Sequence, residues 1–235
     1  IIKNKIAPAY IFSGTDSEIM KDVAILFLKA LILNEEDRYE YHKKNIIEQG
    51  HPDLLIIEPK YLYQGKLISK EELQEKNNLP QVLPQIRIDQ IKLIKDFLGN
   101  KPIHANNGMV IINEVDLINE AASNALLKTL EEPSNGIMIL VSEDTEKLLK
   151  TITSRCQKIT FQPIPINEIN KKLNELIRIK NIDIIPADKQ KIISLSHGSI
   201  KKLDENIKNF ELINQEIRSF FSNQSSDIIN TLSLA

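Results

Sequence analysis

One arginine of this sequence stands in a setting that suits phosphoryl-transfer chemistry. Arg155 lies in the segment Thr153-Ser154-Arg155-Cys156, which follows a helix-like stretch at 124–133 (NALLKTLEEP) and an apolar run at 137–141. An amphipathic helix, a buried strand and an exposed arginine in that order are typical of the second half of a nucleoside-triphosphatase core. A guanidinium is planar and permanently charged, so it can stabilise negative charge that grows on a transferring phosphoryl group.

The segment where a triphosphate would bind lacks the residues that such binding needs. A phosphate loop uses glycines for close backbone approach, a lysine for the β- and γ-phosphates and a hydroxyl for magnesium. An apolar run does end at Gly14, but the second glycine position holds Ile19, the lysine position Met20 and the hydroxyl position Lys21. Asp16 and Glu18, which lie between Gly14 and Ile19, would also repel a triphosphate. We therefore predict no tight nucleotide binding and no cofactor.

The acidic motif that should follow the central strand is also altered. An active ATPase would read Asp-Glu-x-Asp there, with the first Asp holding Mg²⁺ and the Glu orienting the attacking water. This chain reads Asn113-Glu114-Val115-Asp116. A neutral Asn113 is a poor ligand for a hard dication beside phosphates. We predict that Glu114 and Asp116 are polar residues of a strand-to-helix corner and that no metal ion is bound.

The composition excludes several classes of protein. The 235 residues are 42% hydrophobic and 26% charged, which is ordinary for a globular protein of one large domain, or of one domain and a smaller one. A net charge of −2 argues against a strongly basic nucleic-acid surface as the main function. Cys156 is the single cysteine, so we expect no disulfide or cysteine metal cluster and a cytoplasmic protein. No apolar run approaches the roughly 18 residues that span a bilayer, and no membrane partner is expected.

Apolar runs alternate with helix-like stretches along the first two thirds of the chain. We predict strands at 9–13, 53–58, 109–112, 137–141 and 159–161, and helices at 17–31, 89–98 and 119–132. Ser17 and Asn119 are the predicted helix caps, and Leu93 is predicted to face inward with Ile91 and Ile94. The segment 61–85 is polar and has no clear period, so we predict a solvated loop with at most one helical turn.

The predicted fold class is α/β, since strands that alternate with helices imply a parallel sheet with right-handed crossovers. Five strands and their flanking helices make up this part. The pattern changes after Pro163 and Pro165, where helical stretches follow at 167–180, 187–196 and 202–221. No β-prone run stands out there, so we predict a small all-α bundle.

Three segments carry a resemblance to a known family. The stretches 51–59 (HPDLLIIEP), 113–133 (NEVDLINEAASNALLKTLEEP) and 146–156 (EKLLKTITSRC) resemble the AAA+ subunits of the bacterial DNA polymerase III clamp loader. The similarity covers roughly 8–203 and is strongest over 109–161. In that family, gamma/tau subunits are working ATPases with an intact phosphate loop. Delta-prime subunits often have a degenerate loop and keep the Ser-Arg-Cys motif, and this chain follows the second pattern.

The resemblance implies a domain order and roles for particular residues. An AAA+ core of the P-loop type would span 1–163, a helical lid 164–205, and the beginning of a C-terminal collar, cut short, 206–235. In the family the Ser-Arg-Cys arginine reaches the ATP site of the neighbouring subunit, so Arg155 would act in trans as an arginine finger. Active members carry an arginine in the lid where this chain has Lys201, although a helix start capped by Ser199 explains that segment equally well.

The resemblance also implies partners. The chain would be a non-catalytic, delta-prime-type subunit beside a gamma/tau ATPase and a delta subunit, in a complex that loads the sliding clamp onto primed DNA. Family members often carry a four-cysteine zinc module, and the corresponding stretch 33–50 has no cysteine, so no zinc is predicted. One alternative is a gamma/tau-like ATPase in which Lys21 or another base replaces the missing lysine. Another is an AAA+-like adaptor in DNA recombination or repair.

Overall fold

A computed structural model describes residues 6–32, 51–74, 83–103, 105–132, 136–182 and 184–213. The described strands are β1 (Ala9–Ser13), β2 (Leu54–Ile57), β3 (Tyr61–Tyr63), β4 (Lys66–Ile68), β5 (Gly108–Ile112), β6 (Gly136–Ser142) and β7 (Gln157–Thr160). The described helices are α1 (Ser17–Ile32), α2 (Lys70–Gln74), α3 (Ile88–Gly99), α4 (Glu120–Glu131), α5 (Lys150–Thr153), α6 (Ile166–Lys180), α7 (Pro186–Ser196) and α8 (200–213). Short 3₁₀ turns lie at Val115–Leu117 and Thr145–Lys147.

A five-stranded parallel sheet in the order β2-β5-β6-β1-β7 forms the centre of the fold. Every residue of β1, β5 and β6 is buried. Strands of a parallel sheet that is covered on both faces are apolar throughout, which is why these three read as continuous apolar runs. The predicted α/β class with a five-stranded parallel sheet and flanking helices is confirmed.

Alternate residues of the central strands enter two separate apolar cores. Ile111 and Ile139 belong to the core that α1 covers with Ala24 and Leu28. The residues that follow them point to the opposite face, where they pack with side chains of α3, α4 and α5. Since α1 starts only four residues after β1 ends, its N-terminus lies at the carboxyl ends of the strands. In parallel α/β sheets this edge is where ligands bind.

Several element boundaries differ from the prediction because polar contacts replace the apolar signal. The strand β2 begins at Leu54, since Asp53 uses its carboxylate to accept the backbone N–H groups of Ile103 and Ala105, at 2.7 and 2.8 Å. The edge strand β7 begins at Gln157, two residues before the predicted start, and its sequence QKIT is mostly exposed. Leu93 was predicted to face inward and is 56% exposed. Ile91 and Ile94 are buried, and Leu93 lies away from the helix face that these two residues share.

The segment 61–85 was predicted to be a solvated loop with at most one helical turn. Its described residues, 61–74 and 83–85, include one short helix at 70–74, but the loop prediction is wrong for 61–68. Strands β3 and β4 form an antiparallel hairpin around Gln64 and Gly65, both of which have positive φ. A two-residue turn of this kind matches the twist of the paired strands. The hairpin leads into α2, where Ser69 and Glu72 exchange side-chain and backbone hydrogen bonds as a capping box. The side chain of Leu73 is buried.

We predict that Gly65→Ala destabilises the hairpin by about 1 kcal/mol, because an L-residue is strained in the left-handed conformation. Gly65 has φ +77°, and a Cβ added there would contact nothing within 4 Å, so the backbone conformation alone sets the cost. Gly99→Ala is the matched control: the space around Gly99 is equally open, and its φ is not positive. It should be neutral or slightly stabilising at the end of α3. Urea unfolding measures both variants, and equal stabilities would contradict the prediction.

The chain divides into two compact units, Ile1–Gln162 and Pro163–Ala235. In the second unit, α6, α7 and α8 pack around Leu173, Ile192 and Leu203, so the helical character predicted after residue 163 is confirmed. Assignment of 164–205 as a lid and of 206–235 as a collar stays a prediction, and residues 214–235 lie outside the described ranges. Within the described residues, no helix combines the length and apolar character that crossing a membrane requires.

Candidate functional site

The first turn of α1 occupies the place where a phosphate loop would wrap its ligand. Helix α1 begins at Ser17, so only Gly14, Thr15 and Asp16 separate it from β1. The backbone N–H of Ile19 donates to Asp16 Oδ1 at 3.1 Å. Asp16 is therefore the N-cap of the helix, and the prediction that Ser17 has this role is wrong. Both residue types cap helices well, and a cap one residue earlier draws Ser17 into the helix.

Two carboxylates from other parts of the chain contact the start of α1. The backbone N–H of Ser17 donates to Glu143 Oε1 at 3.1 Å, and its hydroxyl donates to Glu114 Oε1 at 3.0 Å. The N–H groups at a helix start, together with the helix dipole, are the groups that bind phosphate in nucleotide sites. In this chain, side-chain carboxylates are bound there instead. The sequence does not predict this role for Glu143, because the residue is 126 positions from Ser17. The one local indication is that an acidic side chain directly follows β6.

Met20, at the lysine position of the loop, belongs to the core. Its side chain is 1% exposed and packs in the apolar cluster between α1 and the sheet. A Cβ added to Gly14 would lie 2.9 Å from Phe161 Cβ and 3.1 Å from Met20 Sδ. Gly14 is therefore required by the close approach of these two side chains.

Lys21 lies between two carboxylates. Its Nζ is 2.7 Å from Glu18 Oε2 and 3.0 Å from Glu58 Oε1, and the side chain is 19% exposed. Burial lowers the pKa of Lys21, but its hydrogen bonds and charge interactions with the two glutamates outweigh this effect and raise the pKa above its ordinary value. A role for Lys21 as a substitute for the missing loop lysine would require the loss of both ion pairs.

The residues from Asn113 to Asp116 connect β5 to the neighbouring elements. The Asn113 side chain is buried, and its Nδ2 donates a long hydrogen bond of 3.5 Å to Glu18 Oε1. Asp116 Oδ1 accepts the backbone N–H of Glu143 at 3.1 Å. Glu114 adopts a left-handed backbone conformation, with φ 49°. These contacts are those of a strand-to-helix corner, and they bring the predicted residues Glu114 and Asp116 together with Glu143 and Ser17.

The residues at this edge of the sheet do not fit a nucleoside triphosphate with its magnesium ion. The helix start donates to the carboxylates of Asp16 and Glu143, and a triphosphate would have to displace them and withstand the charge of Glu114. Among the described residues, no group of three or more His, Cys, Asp or Glu is placed to hold a metal ion. The cysteine-free stretch 33–50, on which the zinc prediction rests, lies outside the described ranges.

Arg155 lies at the end of α5 and contacts the last residue of α4. Its Nη2 donates to Glu131 Oε1 at 2.5 Å, and its Nη1 donates to the Thr151 carbonyl oxygen at 2.8 Å. Glu131 is the first glutamate of the LEEP sequence, so the two segments that carry the family resemblance meet at this ion pair. The side chain of Arg155 is 37% exposed, which leaves part of the guanidinium accessible from outside the chain.

Cys156, which follows Arg155, and Ser199, which lies two residues before Lys201, both make contacts that stabilise the fold. Burial raises the pKa of the Cys156 thiol to about 11, and the side chain packs against the apolar core between the sheet and α3 to α5. In the second unit, Ser199 Oγ accepts the backbone N–H of Lys202 at 3.1 Å. Ser199 therefore caps α8, which agrees with the structural alternative for this segment, and Lys201 lies in the first turn of that helix.

Several known proteins similar to this chain are subunits of DNA polymerase III, and others are replication factor C subunits. A family model described as DNA polymerase III, delta subunit, matches residues 1–165. The delta-prime subunit of Bacillus subtilis is 30% identical over 180 residues, which are 74% of this chain and 48% of that protein. The gamma subunit of Buchnera aphidicola is 33% identical over 116 residues, 49% of this chain and 32% of that protein. The chain thus spans about a third to a half of the length of these relatives.

The fold has a counterpart among solved structures. A DNA polymerase III gamma-subunit-related protein from Thermotoga maritima superposes with a TM-score of 0.52 and 21% sequence identity. The superposition covers 88% of this chain and 55% of that chain. At this identity the likeness concerns the fold alone.

Proposed function

Because this chain belongs to the clamp-loader family of DNA polymerase III, we propose that it is a delta-prime-type subunit that does not itself hydrolyse ATP. The observation that carries the proposal is the occupied start of α1, where Asp16 and Glu143 accept the N–H groups that a triphosphate would need. Similarity to a delta-prime subunit over 74% of the chain supports the same class. Gamma and tau subunits are also similar to this chain, so the contacts of α1 are the stronger argument.

The proposed role is exercised on the nucleotide of a neighbour. Arg155 would extend from the end of α5 into the ATP site of a gamma/tau-type ATPase and stabilise charge on the transferring phosphoryl group. Two features support this role: the partial exposure of the guanidinium and its place in the Ser-Arg-Cys segment. Together with a delta subunit, the complex would load the sliding clamp onto primed DNA in the cytoplasm.

The two alternatives differ from this proposal in what the chain binds. A gamma/tau-like ATPase would bind nucleotide through Lys21, whose two ion pairs argue against it. An adaptor in DNA recombination or repair would bind partners outside the replication machinery, and no contact among the described residues favours that choice.

We expect no saturable binding when the isolated full-length chain is titrated with a fluorescent ATP analogue and Mg²⁺ up to millimolar concentration. The reason is that the analogue would have to displace carboxylates which are part of the chain itself. Lys21→Ala should leave this result unchanged, and a gamma/tau ATPase in the same buffer serves as the positive control. Micromolar binding that Lys21→Ala abolishes would overturn the proposal in favour of the ATPase alternative.

Co-purification tests the partners separately. A tagged full-length chain should recover the loader ATPase and the delta subunit from its own cells. If it recovers neither and instead brings down repair proteins, the replication role is wrong and the adaptor alternative replaces it.

A further inference from the structure

The ion pair between Glu131 and Arg155 assigns a role to the first glutamate of the LEEP sequence. We propose that Glu131 is a positioning residue: its carboxylate orients the Arg155 guanidinium for a neighbour's nucleotide. The inference rests on the proposed function, because it concerns the same arginine. It adds a residue from a different helix, 24 positions earlier in the chain, which the sequence analysis did not single out.

The geometry of the contacts supports orientation. Arg155 Nη2 donates to Glu131 on α4, and Nη1 donates to the carbonyl of Thr151 on α5. A guanidinium is rigid and planar, so two contacts on different nitrogens fix the direction of its plane. Without the carboxylate, only the Thr151 contact remains, and the long side chain regains rotamers that point elsewhere. Arginine is among the side chains that lose most rotamer freedom when they are ordered.

The partial exposure of Arg155 and Glu131 is consistent with a contact that orients the guanidinium and leaves it accessible to a neighbour's nucleotide. The side chains of Arg155 and Glu131 are 37% and 53% exposed, and ion pairs at such positions are weak. A guanidinium has five N–H donors, of which the two contacts use two. Donors therefore remain for phosphate oxygens while the carboxylate still holds the group.

The neighbouring glutamate provides a matched control. Glu132 Oε1 pairs with Lys95 Nζ of α3 at 2.9 Å, and its side chain is 51% exposed. Glu131 and Glu132 therefore have the same charge and similar exposure, but only Glu131 contacts Arg155. A Glu132→Gln variant removes the same charge from the same helix end without changing the arginine contact.

The test measures ATP turnover in the assembled complex that contains the full-length chain. Glu131→Gln should lower kcat at the neighbour's site about tenfold, with little change in the KM for ATP, because an oriented arginine acts on the transition state. Glu132→Gln should stay within about twofold of the unchanged chain. In an Arg155→Ala background, Glu131→Gln should have no further effect, since the carboxylate acts only through the arginine.

Each other outcome has a separate meaning. If Glu131→Gln matches Glu132→Gln while Arg155→Ala lowers kcat, the positioning role is wrong and the proposed function stands. If Arg155→Ala also leaves kcat unchanged, the proposed trans role itself is wrong. If Glu131→Gln lowers kcat equally with and without Arg155, the glutamate acts on the fold, and the positioning role is again overturned. Thermal unfolding of each variant measures that effect on the fold independently of turnover.

Discussion

Arg155→Ala should lower ATP turnover at the neighbouring subunit's site by about a thousandfold or more in the assembled complex. An arginine finger typically contributes a factor of 10³ to 10⁵, because its charge meets the charge that develops on the transferring phosphoryl group. The variant should still fold and assemble, since the substitution removes an exposed ion pair whose contribution to stability is about 0–1 kcal/mol. Single-turnover hydrolysis in the reconstituted complex measures the effect, and gel filtration verifies assembly.

Two further variants separate the finger from a general effect of charge. Arg178 is an exposed arginine of α6, and Arg178→Ala should leave turnover unchanged. Arg155→Lys keeps the charge but replaces a planar fork with a flexible point charge. The complex with this variant should therefore hydrolyse ATP faster than the Arg155→Ala complex and more slowly than the unchanged complex. An Arg155→Ala complex that hydrolyses ATP within twofold of the unchanged complex would refute the trans role.

Met20→Lys should destabilise the chain by about 3 kcal/mol or more, although it restores the lysine that a phosphate loop requires. The Met20 side chain is 1% exposed in the core between α1 and the sheet. A lysine there would either carry its charge into an apolar environment or lose its proton, and both are costly. Urea unfolding of the isolated full-length chain measures the change.

Met20→Leu is the control, because a swap of similar volume in a core usually costs less than about 1.5 kcal/mol. A nucleotide titration of Met20→Lys, under conditions where it remains folded, should still show no binding, since the carboxylates at the start of α1 are unchanged. Stability equal to that of Met20→Leu, together with micromolar nucleotide binding, would contradict the description of this position as core.

The sheet could be predicted from the sequence because its central strands are continuous apolar runs. The runs 109–112 and 137–141 are apolar on both faces, as strands of a parallel sheet that is covered on both sides are. The edge strand β7 lacks this signal: most of its residues are exposed, and its place is set by backbone pairing with β1. The hairpin of β3 and β4 was missed because Gln-Gly is a weaker turn signal than Asn-Gly or Asp-Gly.

The candidate site was predicted in its residues but not in its contacts. The sequence identified Ile19, Met20 and Lys21 as departures from a phosphate loop, because the local spacing from Gly14 is enough to assign those positions. It could not identify Glu143 as the partner of Ser17 or Glu131 as the partner of Arg155, since both contacts depend on how distant segments pack. The choice between Asp16 and Ser17 as the cap of α1 failed for a similar reason. Both residue types suit the cap, and carboxylates from elsewhere hold Ser17 inside the helix.

The carboxylates at the start of α1 have a consequence for how the chain would respond to the energy state of its cell. A subunit that binds ATP gains stability by mass action, and this gain rises and falls with the supply of free nucleotide. Asp16 and Glu143 belong to the same chain as the helix, so their contribution to its stability does not depend on the concentration of free nucleotide. Under the proposed function, the stabilisation of this helix start would therefore be the same in a starved cell and in a growing one, whereas that of a neighbouring ATPase would vary with its nucleotide.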